Sequence, residues 1–436
     1  MAKIKDSLKK LSFLGDFSAF LLPLVLVVIA GLLFVPTTLI QRKLRSQIDS
    51  LSINKGAKSI ETLLRSAVSS KQWEVERDYQ NLYQLDANGI SLLAEQTSQR
   101  QLLSYAIFPG PNETSPQIYS RFGQEFRLVI DKMFDQLKAR DCPTQVELEK
   151  QLKHPVNSTA TASEETTQPN TDKIIIDDLC MKVAKDTNLY ADRINLSGYK
   201  FWENYNYRGK NEAVTDCWYW QLASWIIEDV LQTAKAVNTG SDSVLASPLK
   251  RLMYVSFTPE QATSSKYSTM PMPEIGGLAI GGFASGRPRY VLDFKDSLVE
   301  PFTARICNDQ IDIVHFRISV IVSTYAIPRF FEELCSAKEH KFTGFKDEFK
   351  DSPQTFKHNQ ITILSCNYAA VDSDSDGHKL YRYGDDSVVK MDLICEYAFV
   401  RKGYDQIKPK VVRETIDKAL KKTAFSSPSF TSGVVL

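Results

Sequence analysis

Residues 17–40 (FSAFLLPLVLVVIAGLLFVPTTLI) form an unbroken run without a single charge. As a helix, such a run spans about 36 Å at about 1.5 Å per residue, enough to cross the hydrocarbon core of a bilayer. A secretory signal has a shorter apolar stretch and ends at small residues, whereas this one passes directly into charged sequence with helical spacing. It reads as an uncleaved anchor, with Pro23 and Pro36 near its ends, where a kink is tolerated. A buried core helix is the competing reading. Lys3, Lys5, Lys9 and Lys10 on one side are balanced by Arg42, Lys43, Arg45 and Lys55 on the other, so basic residues do not orient the segment. Residues 1–16 are expected inside, on the common plan of a start-transfer helix followed by the bulk of the chain.

Composition narrows the remaining chain. With 53 Lys+Arg against 52 Asp+Glu, the formal net charge is +1, which supplies no bulk field for nucleic acid or an anionic surface. The seven cysteines (Cys142, Cys180, Cys217, Cys307, Cys335, Cys366, Cys395) include no Cys-x-x-Cys pair, so neither a zinc knuckle nor a thioredoxin-type motif is present.

After the anchor, residues 41–108 carry apolar residues at three- and four-residue steps, which predicts a helical, coiled-coil stalk. Leu44, Ile48, Leu51, Ile60 and Leu64 form its seam, and a helix leaving a membrane has little of its own to bury such a seam against. A partner helix is expected, the alternative being that the seam packs back on the chain's own body. Gly56 and Asn88-Gly89 are weak points in the rod. Residues 109–154 read as a further helical segment, and 155–172 (PVNSTATASEETTQPNTD) as a disordered linker.

Residues 173–258 form a first α/β module: a helix over 174–191, the aromatic group Tyr199, Phe201, Trp202, Tyr205 and Tyr207, a helix over 215–237, and a strand near 250–258. Trp218, Leu222, Trp225, Ile226 and Val230 share one side of the second helix, as core or as the lining of an aromatic pocket. Residues 259–306 are rich in Gly and Pro but hold no phosphate-cradling glycine motif.

The unit at 307–404 is the most regular. Val314, Phe316, Ile318, Val320 and Val322 alternate with His315, Arg317, Ser319 and Ser323, which predicts a half-buried strand. A helix starts at Pro328, with Phe331, Leu334, Cys335 and Phe342 on its stripe. Strands follow near 360–371 and 388–400, the last with Met391, Leu393, Cys395, Tyr397 and Phe399 inward and Lys390, Asp392 and Glu396 outward. The fold class is therefore α+β, with the order α-β followed by β-α-β-β expected of a ferredoxin-like sandwich on an antiparallel sheet. Residues 405–436 are expected to form a flexible tail.

Little catalytic chemistry is legible. Asp372, Asp374 and Asp376 followed by Gly377 open like a calcium loop, but the position where a bidentate Glu is needed is Tyr383, so a solvated turn competes with calcium. The histidines (His154, His315, His340, His358, His378) show no His-Glu-x-x-His and no close pair in sequence, and no Gly-x-Ser-x-Gly elbow occurs. Neither an enzyme nor a cofactor is expected.

The anchor (17–40), the seam (42–103) and the C-terminal unit with HFRISVIV, PRFFEELCSAK and VVKMDLICEYAFV together resemble the bitopic inner-membrane alignment and platform proteins of type IV pilus and type II secretion machines, the PilO and GspM kind. The resemblance implies a non-enzymatic scaffold in the bacterial inner membrane. Its bulk is periplasmic, and it pairs with itself or a related bitopic protein through coiled coil and ferredoxin-like domain. A receptor or sensor ectodomain with an aromatic pocket is the alternative.

Overall fold

A computed structural model describes residues 3–48, 59–62, 70–113, 115–152, 169–259, 286–345 and 353–426. The chain divides into two units, Met1–Asn88 and Gly89–Leu436. In the first, α1 (Lys3–Ile48) is continuous and contains both prolines, extending past each end of the apolar run because its flanks are rich in the strong helix formers Lys, Leu and Arg. Its Pro23–Ile48 part is long and apolar enough to cross a membrane. Leu24, Val27, Leu32 and Phe34 there are more than half exposed. Helix α2 (Ser70–Thr97) runs unbroken through Asn88-Gly89, buries none of its residues, and ends within the second unit.

The second unit continues with α3 (Gln117–Leu137), β1 (Ala139–Arg140), α4 (Gln145–Leu152), α5 (Pro169–Asp186), β2 (Leu189–Ala191), α6 (Tyr199–Glu203), α7 (Lys210–Val237) and β3 (Leu249–Ser256). After these come β4 (Ile311–Ser323), α8 (Ile327–Cys335), β5 (Lys338–Phe342), β6 (Gln354–His358), β7 (Ile361–Ala370), β8 (Val388–Val400), α9 (Arg401–Tyr404) and α10 (Lys410–Ser426). Among the described residues, six strands form one sheet in the order β1-β2-β3-β4-β8-β7, parallel across β1-β2-β3 and antiparallel beyond, while β5 and β6 form a separate ribbon.

Alternation sets the faces. Val314 pairs with Tyr397, Phe316 with Cys395, Ile318 with Leu393 and Val320 with Met391, so both sets of predicted inward residues meet on one face. That face packs against Trp225 and Ile226 of α7 and Phe330 and Leu334 of α8 in the main core. Helix α3 adds a second stripe to it, Ile118, Phe122, Phe126, Ile130, Phe134 and Leu137, spaced by three or four residues.

Several expectations are corrected. The opposite face of β4 and β8 is not open to solvent. Residues 298–305 lie over it, with Leu298 N–H donating to His315 Nδ1 (3.2 Å), Thr303 Oγ1 to Glu396 Oε2 (2.9 Å) and Arg305 paired with Glu396 Oε1 (2.6 Å). Glu396 is consequently 0% exposed, and Arg317 is also buried. The predicted helix over 174–191 stops at Asp186, because Leu189–Ala191 is drawn into the sheet between β1 and β3. Phe342 sits in β5 and not on the helix stripe of α8. The segment after Tyr404 does not fray at its start: Lys408 Nζ reaches Asp312 Oδ2 (2.6 Å), and Val412 and Ile416 of α10 are buried in the core. Most of the expected linker at 155–172 lies outside the described residues.

Phe316→Ala is expected to cost about 3–5 kcal/mol, since it empties a central core position. Glu396→Ala should cost about 1–3 kcal/mol by stranding Thr303 and Arg305, and Lys390→Ala less than about 0.5 kcal/mol. Chemical denaturation checks the order. A Glu396→Ala effect as small as that of Lys390→Ala would mean that the covered face admits water.

Candidate functional site

The main concentration of buried charge lies where the chain leaves α2. The helix closes with Ser98 Oγ donating to Glu95 O (2.9 Å), and Gly403 of α9 approaches so closely that a Cβ there would stand 1.9 Å from Ser98 Oγ. Only glycine fits. The segment that follows turns into the core, burying Arg100, Leu102, Ile107 and Phe108.

Arg100 is 2% exposed and spends its guanidinium on four acceptors. Nη1 donates to Trp225 O (3.1 Å), Asp229 Oδ2 (3.1 Å) and Tyr397 OH (2.9 Å), and Nη2 to Glu228 Oε2 (2.7 Å). Asp229 Oδ2 also accepts from Tyr397 OH (2.7 Å) and faces His358 Nε2 (2.9 Å). His358 Nδ1 lies 2.9 Å from His340 Nδ1, and His340 Nε2 lies 2.8 Å from Gln99 O. The two histidines, eighteen residues apart and unpaired in the sequence reading, are thus neighbours because β5 and β6 pair Lys338 with His358 and His340 with Phe356.

Electrostatics follow from this packing. Burial alone would raise the Asp229 carboxyl, but Arg100, His358 and Tyr397 outweigh it and hold the group well below the usual carboxylate range. Burial likewise opposes the charge on Arg100, and Asp229, Tyr397 and Glu228 overcome it. His340 is pushed down to about 4, by burial first and by the Arg100 charge second. An open cleft of about 420 Å³ reaches this node, lined by Arg100, Gln101, Glu228, Glu339, His340, Lys341 and Thr355.

Around the node, the segment is tied from two more sides. Leu103 N–H donates to Gln221 Oε1 (2.8 Å) and Trp225 Nε1 to Gln101 O (2.9 Å) from α7; Tyr105 OH donates to Gly344 O (3.0 Å) beyond β5. Chemically, the arrangement neutralises and fastens. Among the described residues no group of three or more His, Cys, Asp or Glu is placed to hold a metal.

The residues singled out in the sequence lie elsewhere. Leu44, Ile48 and Ile60 are each more than half exposed, and Leu51 and Leu64 lie outside the described residues. Asp372, Asp374 and Asp376 lie in the connection from β7 to β8. There Asp374 N–H donates to Asp372 Oδ1 (3.1 Å) and Asp376 pairs with Lys379 (2.9 Å), which is the chemistry of a turn. The aromatic group packs ring on ring: Phe201 lies against Trp202, Tyr205 and Trp220, and Tyr207 stacks on Tyr119. Asp229 was the legible signal that sequence reasoning missed, since a carboxylate four residues after Trp225 on a core stripe demands a buried cation. No family model, curated protein or solved structure matches the chain.

Asp229→Asn is expected to cost about 3–5 kcal/mol at neutral pH, because it leaves Arg100 buried beside a neutral amide. The depressed carboxyl stabilises the fold above its unfolded pKa of about 4, and that contribution is lost as the pH falls through and below it. Denaturant titrations across that range should therefore show a smaller acid loss for Asp229→Asn than for the parent protein. Equal acid sensitivity would place the titrating group elsewhere.

Proposed function

We propose that the chain is a non-enzymatic, membrane-anchored scaffold, held by residues 17–40 with its bulk on the far side of the bilayer, that associates with itself or a related bitopic protein. The observation that carries the reading is a contrast in how apolar and charged side chains are disposed. Along α2, Trp73, Val75, Tyr79, Leu82, Tyr83 and Leu85 are more than half exposed, as are Leu44 and Ile48 of α1. In the second unit, Arg100, Asp229, Asp312, Lys408 and Glu396 are buried and matched to one another or to near neighbours. Exposed apolar helices mark association, and buried ion pairs mark a structural body.

The ferredoxin-like reading has support in topology. Helix α7 and strands β3 and β4, then α8 and strands β7 and β8, repeat an α-β-β unit twice, and the four strands stand in the antiparallel order β3-β4-β8-β7. An anchor, exposed apolar helices and a sandwich of this order are the parts expected of an alignment or platform protein of the type IV pilus and type II secretion kind, so we extend the proposal to an envelope machine of that class.

Two measurements test it. A reporter fused after Leu436 should be active only outside the cytoplasm; activity of a cytoplasm-only reporter would overturn the topology. Ile48→Glu with Ile60→Glu, in the full chain in membranes, should lower crosslinking to itself or its partner about tenfold or more. Desolvating two charges costs several kcal/mol, and unfolding of the body should be unchanged. Undiminished crosslinking would show that these side chains are not the interface.

A further inference from the structure

The ribbon of β5 and β6 is joined to the body through a chain of contacts whose protons can be counted. Gln99 O only accepts, so His340 Nε2 carries a proton. Asp229 is ionised, so His358 Nε2, facing it at 2.9 Å, carries another. Between them, the 2.9 Å contact of His340 Nδ1 with His358 Nδ1 is a hydrogen bond only when one of the two nitrogens is protonated. Three protons thus occupy four ring nitrogens, one more than two neutral imidazoles hold. Burial and the Arg100 charge oppose a second proton on His340.

We propose that the His340–His358 pair is a proton-gated latch: with one extra proton it fastens the β5–β6 ribbon to Gln99 and Asp229, and with none or two it lets the ribbon go. Removing the extra proton turns one of the three contacts into facing lone pairs. Adding a second puts two imidazolium charges in contact beside Arg100. Both changes weaken docking, so docking has an optimum between two limits.

The surrounding charges are compatible with that count. From the segment after α2 comes Arg100, from α7 Glu228 and Asp229, and from β8 Tyr397. On the ribbon, Glu339 is paired with Lys357 (2.7 Å), Lys341 lines the cleft, and buried Lys338 donates to the backbone of Leu334 (3.2 Å) and Ser336 (3.0 Å) at the end of α8. At the node itself, Arg100 faces both Asp229 and Glu228. Because His340 holds Gln99 O, release of the ribbon also frees one side of the segment that Arg100 pins.

Amide hydrogen exchange of the full chain, measured from about pH 3 to pH 9 and corrected for intrinsic exchange, reads the latch directly. Ribbon amides from Lys338 to Phe342 and Gln354 to His358 should be most protected at an intermediate pH. Their protection should fall by up to about tenfold per pH unit on either side, the slope of one proton, while amides of β4 and β8 stay constant. His340→Gln with His358→Gln should give a level profile. A level or one-sided profile in the parent protein overturns the latch, as does a peaked profile shared by β4 and β8 or one that survives in the double variant. Should that variant fail to dock its ribbon at any pH, the parent profile alone decides.

Discussion

A guanidinium that is 2% exposed has given up its water and must be repaid in full by protein acceptors. Arg100 meets that demand with the Trp225 carbonyl, Asp229, Glu228 and Tyr397 OH, groups that come from α7 and β8. The demand fixes three elements relative to one another. It orients α7 so that the Trp225–Asp229 side faces inward, it sets the depth of Tyr397 in β8, and it draws the segment after α2 into the core, where Leu102, Ile107 and Phe108 are buried.

The same device recurs at three other carboxylates among the described residues, Asp312, Asp216 and Glu396. Asp312 at the start of β4 holds Lys408 (2.6 Å) and Tyr404 OH, fastening the chain after β8. Asp216 of α7 takes Arg287 and Arg208, and Glu396 of β8 takes Arg305. In each case the carboxylate sits on a helix or strand of the core, and the cation arrives on a connecting segment. Apolar contacts would hold those segments as tightly, yet a buried pair accepts one geometry only.

Legibility followed the strength of the local period. Strands β4 and β8 announced themselves through thirteen-residue alternation, and their predicted inward residues are paired across the sheet. The helix at 215–237 was visible through its apolar stripe. The β5–β6 ribbon was not, because KEHKF and QTFKH mix Lys, Glu and His with single apolar residues and carry no clean alternation. With the ribbon unseen, the neighbourhood of His340 and His358 could not be read. Likewise β1 and β2, two and three residues long, exist only through the parallel pairing of β1 with β2 and of β2 with β3. Lysine content disguised α10, although Val412 and Ile416 keep helical spacing. Glu396 was placed outward correctly by parity, but parity does not reveal that residues 298–305 cover that face.

Arg100 and Asp229 act as one unit in holding the segment after α2 to the body. A double-mutant cycle with Arg100→Met and Asp229→Leu, followed by chemical denaturation of each protein, measures it directly. Each single change leaves a buried charge without its partner and should destabilise by several kcal/mol, whereas the double change removes both charges together. The double variant is expected to lose at least about 2 kcal/mol less than the sum of the singles. Additivity within about 0.5 kcal/mol would contradict it.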